Sequence, residues 1–313
     1  MSKRYLIQVL MVCLLLASCE APKAYQQALE AFSQGATLEL QQQLAAAESA
    51  PPEGMIQLEA LYSPSQAVDA SRTPATYYGA ALAAAETALR GEDQLRKHQM
   101  LDNTYAIQAL TQWKLSQFAE ALASAEMAEP LLMDDQGGEN DQRDLAMVRA
   151  LPGLINLDQA FTRLQQVRLL AAGVEQARAG GETARRELYQ QIKAAYQEAV
   201  TDESAGATSI NRGLALLKRS AELSNADEPV LIYLVNARLA GLDTWGDMLQ
   251  EVFMASRRLS VSQFLPNEGE WIAGERNRYN LAVAATLEEL ANLMGVGEDN
   301  AVYQFWKSIL QGA

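Results

Sequence analysis

Apolar residues recur along this chain at helical spacing. Phe118, Ala121, Leu122, Ala125, Ala128 and Leu132 fall at offsets of 0, 3, 4, 7, 10 and 14 residues, one stripe of a helix with 3.6 residues per turn. Ala106, Ile107, Leu110 and Trp113 mark a helix before it. Leu188, Ile192, Ala195 and Ala199, then Ile210, Leu214, Leu217 and Ala221, mark later ones. Strand signals are scarce. Val230–Val235 is the one dense aliphatic run with β-branched residues, but it follows Asp227-Glu228-Pro229, a helix start with proline in the first turn. It continues into Asn236-Ala237-Arg238-Leu239, so it predicts a buried helix. The pattern predicts an all-α fold.

The punctuation divides the chain. Lys23–Phe32 and Leu38–Ala47 are rich in Ala, Gln and Leu, and polar on one side. Pro51-Pro52-Glu53-Gly54 then breaks the helical pattern, and a second soft stretch runs from Ser63-Pro64 to Thr73-Pro74. Residues 19–74 are therefore expected to form a loosely packed section and linker, with the main helical domain at 75–313. Gly180-Gly181 separates helices expected at about 154–179 and 182–200. Glu203-Ser204-Ala205-Gly206-Ala207 reads as a turn between helices, with Ser209 placed to cap a helix from Ile210. Ser124, off the apolar stripe, is expected to face outward.

Ala109–Pro130 resembles one tetratricopeptide repeat. Trp113-Lys114-Leu115-Ser116-Gln117-Phe118 fits the end of the first helix and the turn, Ala121, Ala125 and Ala128 fit the small positions of the second, and Pro130 lies near the closing proline. Small residues let paired helices approach closely while the aromatic plugs the gap between them. Gln117 stands where the family prefers glycine, and Pro229–Ala255 gives a fainter echo. The resemblance implies antiparallel helix pairs in a degenerate array, with an irregular helical bundle as the alternative.

The first residues bear on location. Lys3 and Arg4 precede the apolar run Tyr5–Ala17, interrupted only by Gln8. Thirteen helical residues span roughly 20 Å, short of the ~30 Å hydrocarbon core, which suits a signal segment at 1–18 and not a membrane span. The run ends in Leu16-Ala17-Ser18-Cys19, which resembles the lipobox of bacterial lipoproteins. That resemblance implies cleavage before Cys19, acyl chains on Cys19, and sorting to the Gram-negative outer membrane because Glu20 is not Asp. Cleavage removes Cys13 as well, so no disulfide is expected.

Composition narrows the partners. The chain has 39 acids against 25 bases, a net charge of −14, which argues against a nucleic-acid partner. Candidate chemistry is thin. His98 is the lone histidine and lies in the polar stretch Gln94–Gln99, a surface position. Gly295-Val296-Gly297 lacks the third glycine of a dinucleotide fingerprint. Asp134, Asp135, Glu139, Asp141 and Asp144 cluster in a glycine-containing segment without the EF-hand spacing, which reads as a solvated loop. Glu203-Ser204 and Ala205-Gly206-Ala207 resemble fragments of the lytic transglycosylase signature, fused here although separated in that family.

No catalytic residue, cofactor or metal ligand is therefore expected. The aromatics Tyr78, Trp113, Tyr196 and Trp245 either plug the core or line a partner groove. The leading expectation is a lipid-anchored, periplasm-facing helical scaffold for a protein partner in secretion, assembly or transport. The alternatives are a small-ligand-binding accessory lipoprotein of a tripartite-transporter kind and, more remotely, a hydrolase of envelope polymers.

Overall fold

The computed structural model describes residues 20–46, 67–134, 141–219, 227–295 and 297–311. Cys19 and the lipobox lie outside them, as do Asp135 and Glu139. Among the described residues every regular element is helical, so the fold is all-α, as the periodicity predicts. The elements are α1 (Glu20–Ala46), α2 (Pro74–Leu89), α3 (Glu92–Lys97), α4 (Leu101–Lys114), α5 (Phe118–Asp134), α6 (Asp141–Ala172), α7 (Val174–Ala179), α8 (Gly181–Arg219), α9 (Asp227–Arg258), a 3-10 turn (Val261–Gln263), α10 (Glu268–Met294) and α11 (Ala301–Gln311). Their chain divides into two compact units. The first holds the described residues up to Leu151 with Ala215–Tyr233, and the second holds Pro152–Leu214 with Leu234 onward.

In the first unit α1 is a full packing partner and not a loose leader. Its stripe of Ala21, Ala24, Ala28, Phe32 and Ala36 is buried, because small residues let it lie close along α2. Any side chain at Gly35 would meet Tyr78 Cε1 at 2.8 Å. Thr73 caps α2 by accepting from the Thr76 N–H, with Pro74 in the first turn. Glu39 of α1 accepts from Tyr78 Oη at 2.6 Å and pairs with Lys114 Nζ at 2.8 Å. The start of α2 thus meets the ends of α1 and α4, so α2 runs antiparallel to both. The turn from α4 to α5 places Ser116 in left-handed conformation (φ 59°), one residue before the Gln117 singled out in the sequence. Asn103 Nδ2 donates to Asp144 Oδ2 at 2.9 Å, joining the first turns of α4 and α6.

The second unit follows the same alternation. α8 is antiparallel to α6, with Arg163 on Glu198 at 2.8 Å, and antiparallel to α9, with Trp245 on Tyr196 at 2.9 Å. α9 is antiparallel to α10, with Arg238 on Thr286 at 3.0 Å. Helices two apart run parallel. Tyr189 bonds Glu268 and Tyr196 bonds Glu275, each across 79 residues, and Asn211 bonds Glu289 across 78. Arg168 of α6 reaches Asp247 of α9, again across 79. The hairpins α6/α8 and α9/α10 therefore lie side by side with a shift of about 79 residues.

Several expectations are corrected. The turn expected at 203–207 is continuous helix, and its glycine serves packing. A Cβ at Gly153 would collide with the Gly206 carbonyl and lie 2.8 Å from Ile210 Cγ1, so the backbones of α6 and α8 touch there. The helix expected at 154–179 begins at Asp141, runs through Pro152 and breaks at Gly173. α5 likewise runs through Pro130 to Asp134. Ser124 does not face outward. It is buried, and its hydroxyl donates to Gln112 Oε1 at 2.7 Å and Gln108 Oε1 at 3.2 Å, so a polar side chain occupies the helix seam because partners await it.

Candidate functional site

The densest polar and aromatic arrangement among the described residues joins α8, α9 and α10 in the second unit. Tyr189, Lys193 and Tyr196 lie one turn apart on one face of α8, and Glu268, Trp271, Glu275 and Arg278 share a face of α10 at the matching spacing. Tyr189 Oη donates to Glu268 Oε1 at 2.9 Å, and Lys193 Nζ donates to the same oxygen at 2.7 Å. Lys193 Nζ sits 3.8 Å from the Trp271 ring centroid, a cation–π contact. Tyr196 Oη accepts from Trp245 Nε1 and donates to Glu275 Oε2, both at 2.9 Å. Trp271 meets Tyr196 edge-on at 5.8 Å, and Trp245 meets Tyr279 at 5.6 Å. Arg278 lies 5.1 Å over Trp245 and 3.5 Å from Glu275.

Burial sets the chemistry of this network. It holds the Tyr189 and Tyr196 hydroxyls well above the usual phenol value, with the Glu268 charge adding to the effect at Tyr189. Tyr279 is pushed up to about 12 by burial and by the charges of Asp243 and Asp247. Asp243 is itself raised by burial and by Asp247, with Arg168 opposing. All three phenols are neutral at physiological pH, and those of Tyr189 and Tyr196 act as hydrogen-bond donors. Fully partnered donors and acceptors of this kind fix three helices in one register.

Each aromatic singled out in the sequence is buried: Tyr78 at 2% exposure, Trp113 at 4%, Tyr196 at 0% and Trp245 at 3%. Tyr78 and Trp113 belong to the first unit; Tyr196 and Trp245 belong to the second and bond each other. Sequence reasoning missed Lys193, Glu268, Glu275 and Arg278. The available signal was the paired spacing of aromatic and charged residues on α8 and α10.

The other candidates have structural places. His98 is exposed at the end of α3, and Gly295 is the left-handed C-cap of α10 (φ 62°). Asp144 is buried against Arg143 at 2.7 Å, and no group of three metal-ligating side chains occurs among the described residues. The Glu203 side chain lies outside them. No helix among them is long and apolar enough to cross a membrane.

Beside the network, at the junction of α9, the 3-10 turn and α10, an open cleft of about 350 Å³ is lined by Arg257, serine hydroxyls and the buried Glu268. A second cleft of about 350 Å³ lies in the first unit beside Arg96, Asp102 and Asp134. Comparison with protein-family models, curated proteins and solved structures finds no match.

Proposed function

We propose that this chain is a lipid-anchored helical scaffold of the bacterial cell envelope, which faces the periplasm and presents a degenerate tetratricopeptide-like array to a protein partner. The observation that carries this reading is the alternation of antiparallel neighbours with parallel helices two apart. Stacked hairpins shifted along the sequence by a fixed interval are how repeat arrays extend, and such arrays bind extended or helical segments of other proteins. The shift of 79 residues in the second unit is longer than two tetratricopeptide periods of about 34 residues, so the array is degenerate and no short repeat stands out in the sequence. The Leu16–Cys19 motif supports the anchor and Glu20 supports the outer membrane as its location.

Two measurements test the parts separately. Cys19→Ala is expected to leave an uncleaved, unlipidated precursor that no longer fractionates with the outer membrane. A mature N-terminus at any other residue overturns the anchor. For the partner, photo-reactive residues at the exposed positions Met127 (53% exposed), Leu169 (77%) and Leu281 (63%) are activated in intact cells. A single protein recovered from at least one position supports the scaffold; no adduct at any of them, nor at a panel covering the remaining exposed helix faces, overturns it.

A further inference from the structure

We propose that the outer face of α5 is a docking surface for a basic amphipathic helix of a partner protein. This deepens the scaffold reading and rests on it, though not on the lipid anchor. Glu120, Ala123, Met127, Leu131 and Asp134 fall at offsets of 0, 3, 7, 11 and 14 residues, one stripe along α5. Leu131 is half-buried and the other four are exposed, Met127 at 53%. The stripe is about 21 Å long and has three apolar residues in the middle with a carboxylate at each end. The helix as a whole carries four acids and no base. One of them, Glu129, pairs with Arg149 at 2.7 Å. Glu120, Glu126 and Asp134 make no ion pair among the described residues.

The open cleft of the first unit continues the stripe at the last turn of α5. Leu131 and Asp134 share it with Gln99, Leu101 and Asp102 at the junction of α3 and α4. Arg96, also in its wall, is held by Glu92 at 2.7 Å. The Asp102 carboxylate is buried, and its Oδ1 accepts from the Asn103 N–H at 2.8 Å. Two leucines beside two carboxylates suit a lysine or arginine side chain, whose methylenes lie along the leucines while its charge reaches the acids. Ala123 is small enough for a second helix to approach α5 closely, and Met127 is a flexible apolar contact that adapts to the side chains above it. Charge decides the partner. An apolar stripe closed at both ends by acids without a base complements a helix with apolar anchors one turn apart and bases at its flanks, and it repels an acidic one.

The probe is a synthetic helix of leucine and lysine, about 18 residues long so that it covers the stripe, with its leucines on one face and one photo-reactive group. It is titrated onto the full chain in neutral detergent, and adducts are quantified and mapped by mass spectrometry. Saturable labelling of α5 is expected. Glu120→Gln with Asp134→Asn is expected to weaken it at least fivefold, as is Met127→Lys, which sets a base beneath the leucines of the probe. Glu270→Gln with Glu288→Gln removes the same charge from exposed positions of α10 and is expected to change it less than twofold. The detergent is common to every arm, so the ratios report the site. Absence of saturable labelling on α5, equal losses in the two double variants, or no loss in Met127→Lys overturns the surface. Its failure is distinct from that of the scaffold: adducts in cells at Leu169 or Leu281 but none along α5 leave the scaffold standing and overturn this surface. All five substitutions alter exposed side chains, and far-ultraviolet circular dichroism verifies that the helices persist.

Discussion

Tyr196 shows how a single side chain ties three helices together. Its hydroxyl is fully buried, accepts from an indole on α9 and donates to a carboxylate on α10. Tyr196→Phe keeps the ring but leaves the Trp245 N–H without its acceptor, which is expected to cost about 1–3 kcal/mol in urea unfolding. Loss below the error of the measurement would mean that water replaces the hydroxyl. The buried tyrosines also set a pH dependence. Their folded pKa values lie above the unfolded value near 10, so the unfolded chain releases its phenolic protons first as pH rises. The stability they confer is fully present below about pH 10 and is lost as pH climbs toward and beyond the folded values. Each contributes a slope of up to about 1.4 kcal/mol per pH unit in that window. Urea midpoints measured at pH 8, 10 and 11 should therefore fall across the last step. Tyr279→Phe, which removes the group that titrates at about 12, should flatten that fall by one tyrosine's share. A midpoint unchanged between pH 8 and 11 would show that the phenols reach solvent.

Between helices, the decisive quantity is how closely two backbones approach. Gly153 and Gly206 bring α6 and α8 into backbone contact, so Gly153→Ala is expected to destabilise by about 2 kcal/mol or more, because the clash exceeds the ~1 kcal/mol gain in helix propensity. Gly274→Ala, where a methyl meets nothing within 4 Å, is expected to stabilise by about 0.5–1 kcal/mol. Thermal melts of the two variants that shift in the same direction would refute the contact. The same logic applies to the α4/α5 seam. Ala125→Leu overpacks a buried stripe and should cost about 1–3 kcal/mol, and Ser124→Leu should cost at least as much because it also strands two glutamine carbonyls. Ala123, exposed on the same helix, should accept leucine for under about 0.5 kcal/mol. Helix content was legible because the apolar stripes repeat every 3.6 residues, and the buried start of α9 was legible from Pro229 and the aliphatic run. The continuous passage of α8 through 201–209 was not, because Thr201, Asp202, Ser204 and Gly206 carry the local signature of a turn. Only the backbone of α6 lying against Gly206 explains the glycine. Ser124 was misread for a related reason, since its buried partners Gln108 and Gln112 sit on another helix.

For the whole chain the governing quantity is charge. The α8/α10 network was only half legible in the sequence, since spacing reveals a face but not the face opposite it, and a 79-residue shift leaves no short repeat to detect. Net charge, by contrast, is read directly, and at −14 it carries a consequence for stability. Like charges confined to a folded volume repel more than along an expanded chain, so the excess of acids disfavours the compact state. Ion pairs work in the opposite direction, but many of them are exposed on both sides. Arg96–Glu92, Arg178–Glu175 and Arg186–Glu182 are such pairs, each worth about 0–1 kcal/mol and each within one helix. The pairs with real shelter, Lys114–Glu39, Arg143–Asp144 and Lys193–Glu268, are screened little by salt. Raising sodium chloride from about 20 to 500 mM shortens the screening length from roughly 20 Å to about 4 Å, which removes long-range repulsion first. Stability to urea at pH 7 is therefore expected to rise with salt. The control is the same titration near pH 4.6, the isoelectric point, where no net repulsion remains and the rise should vanish. A fall in the urea midpoint with salt at pH 7 would mean that the ion pairs outweigh the acidic excess.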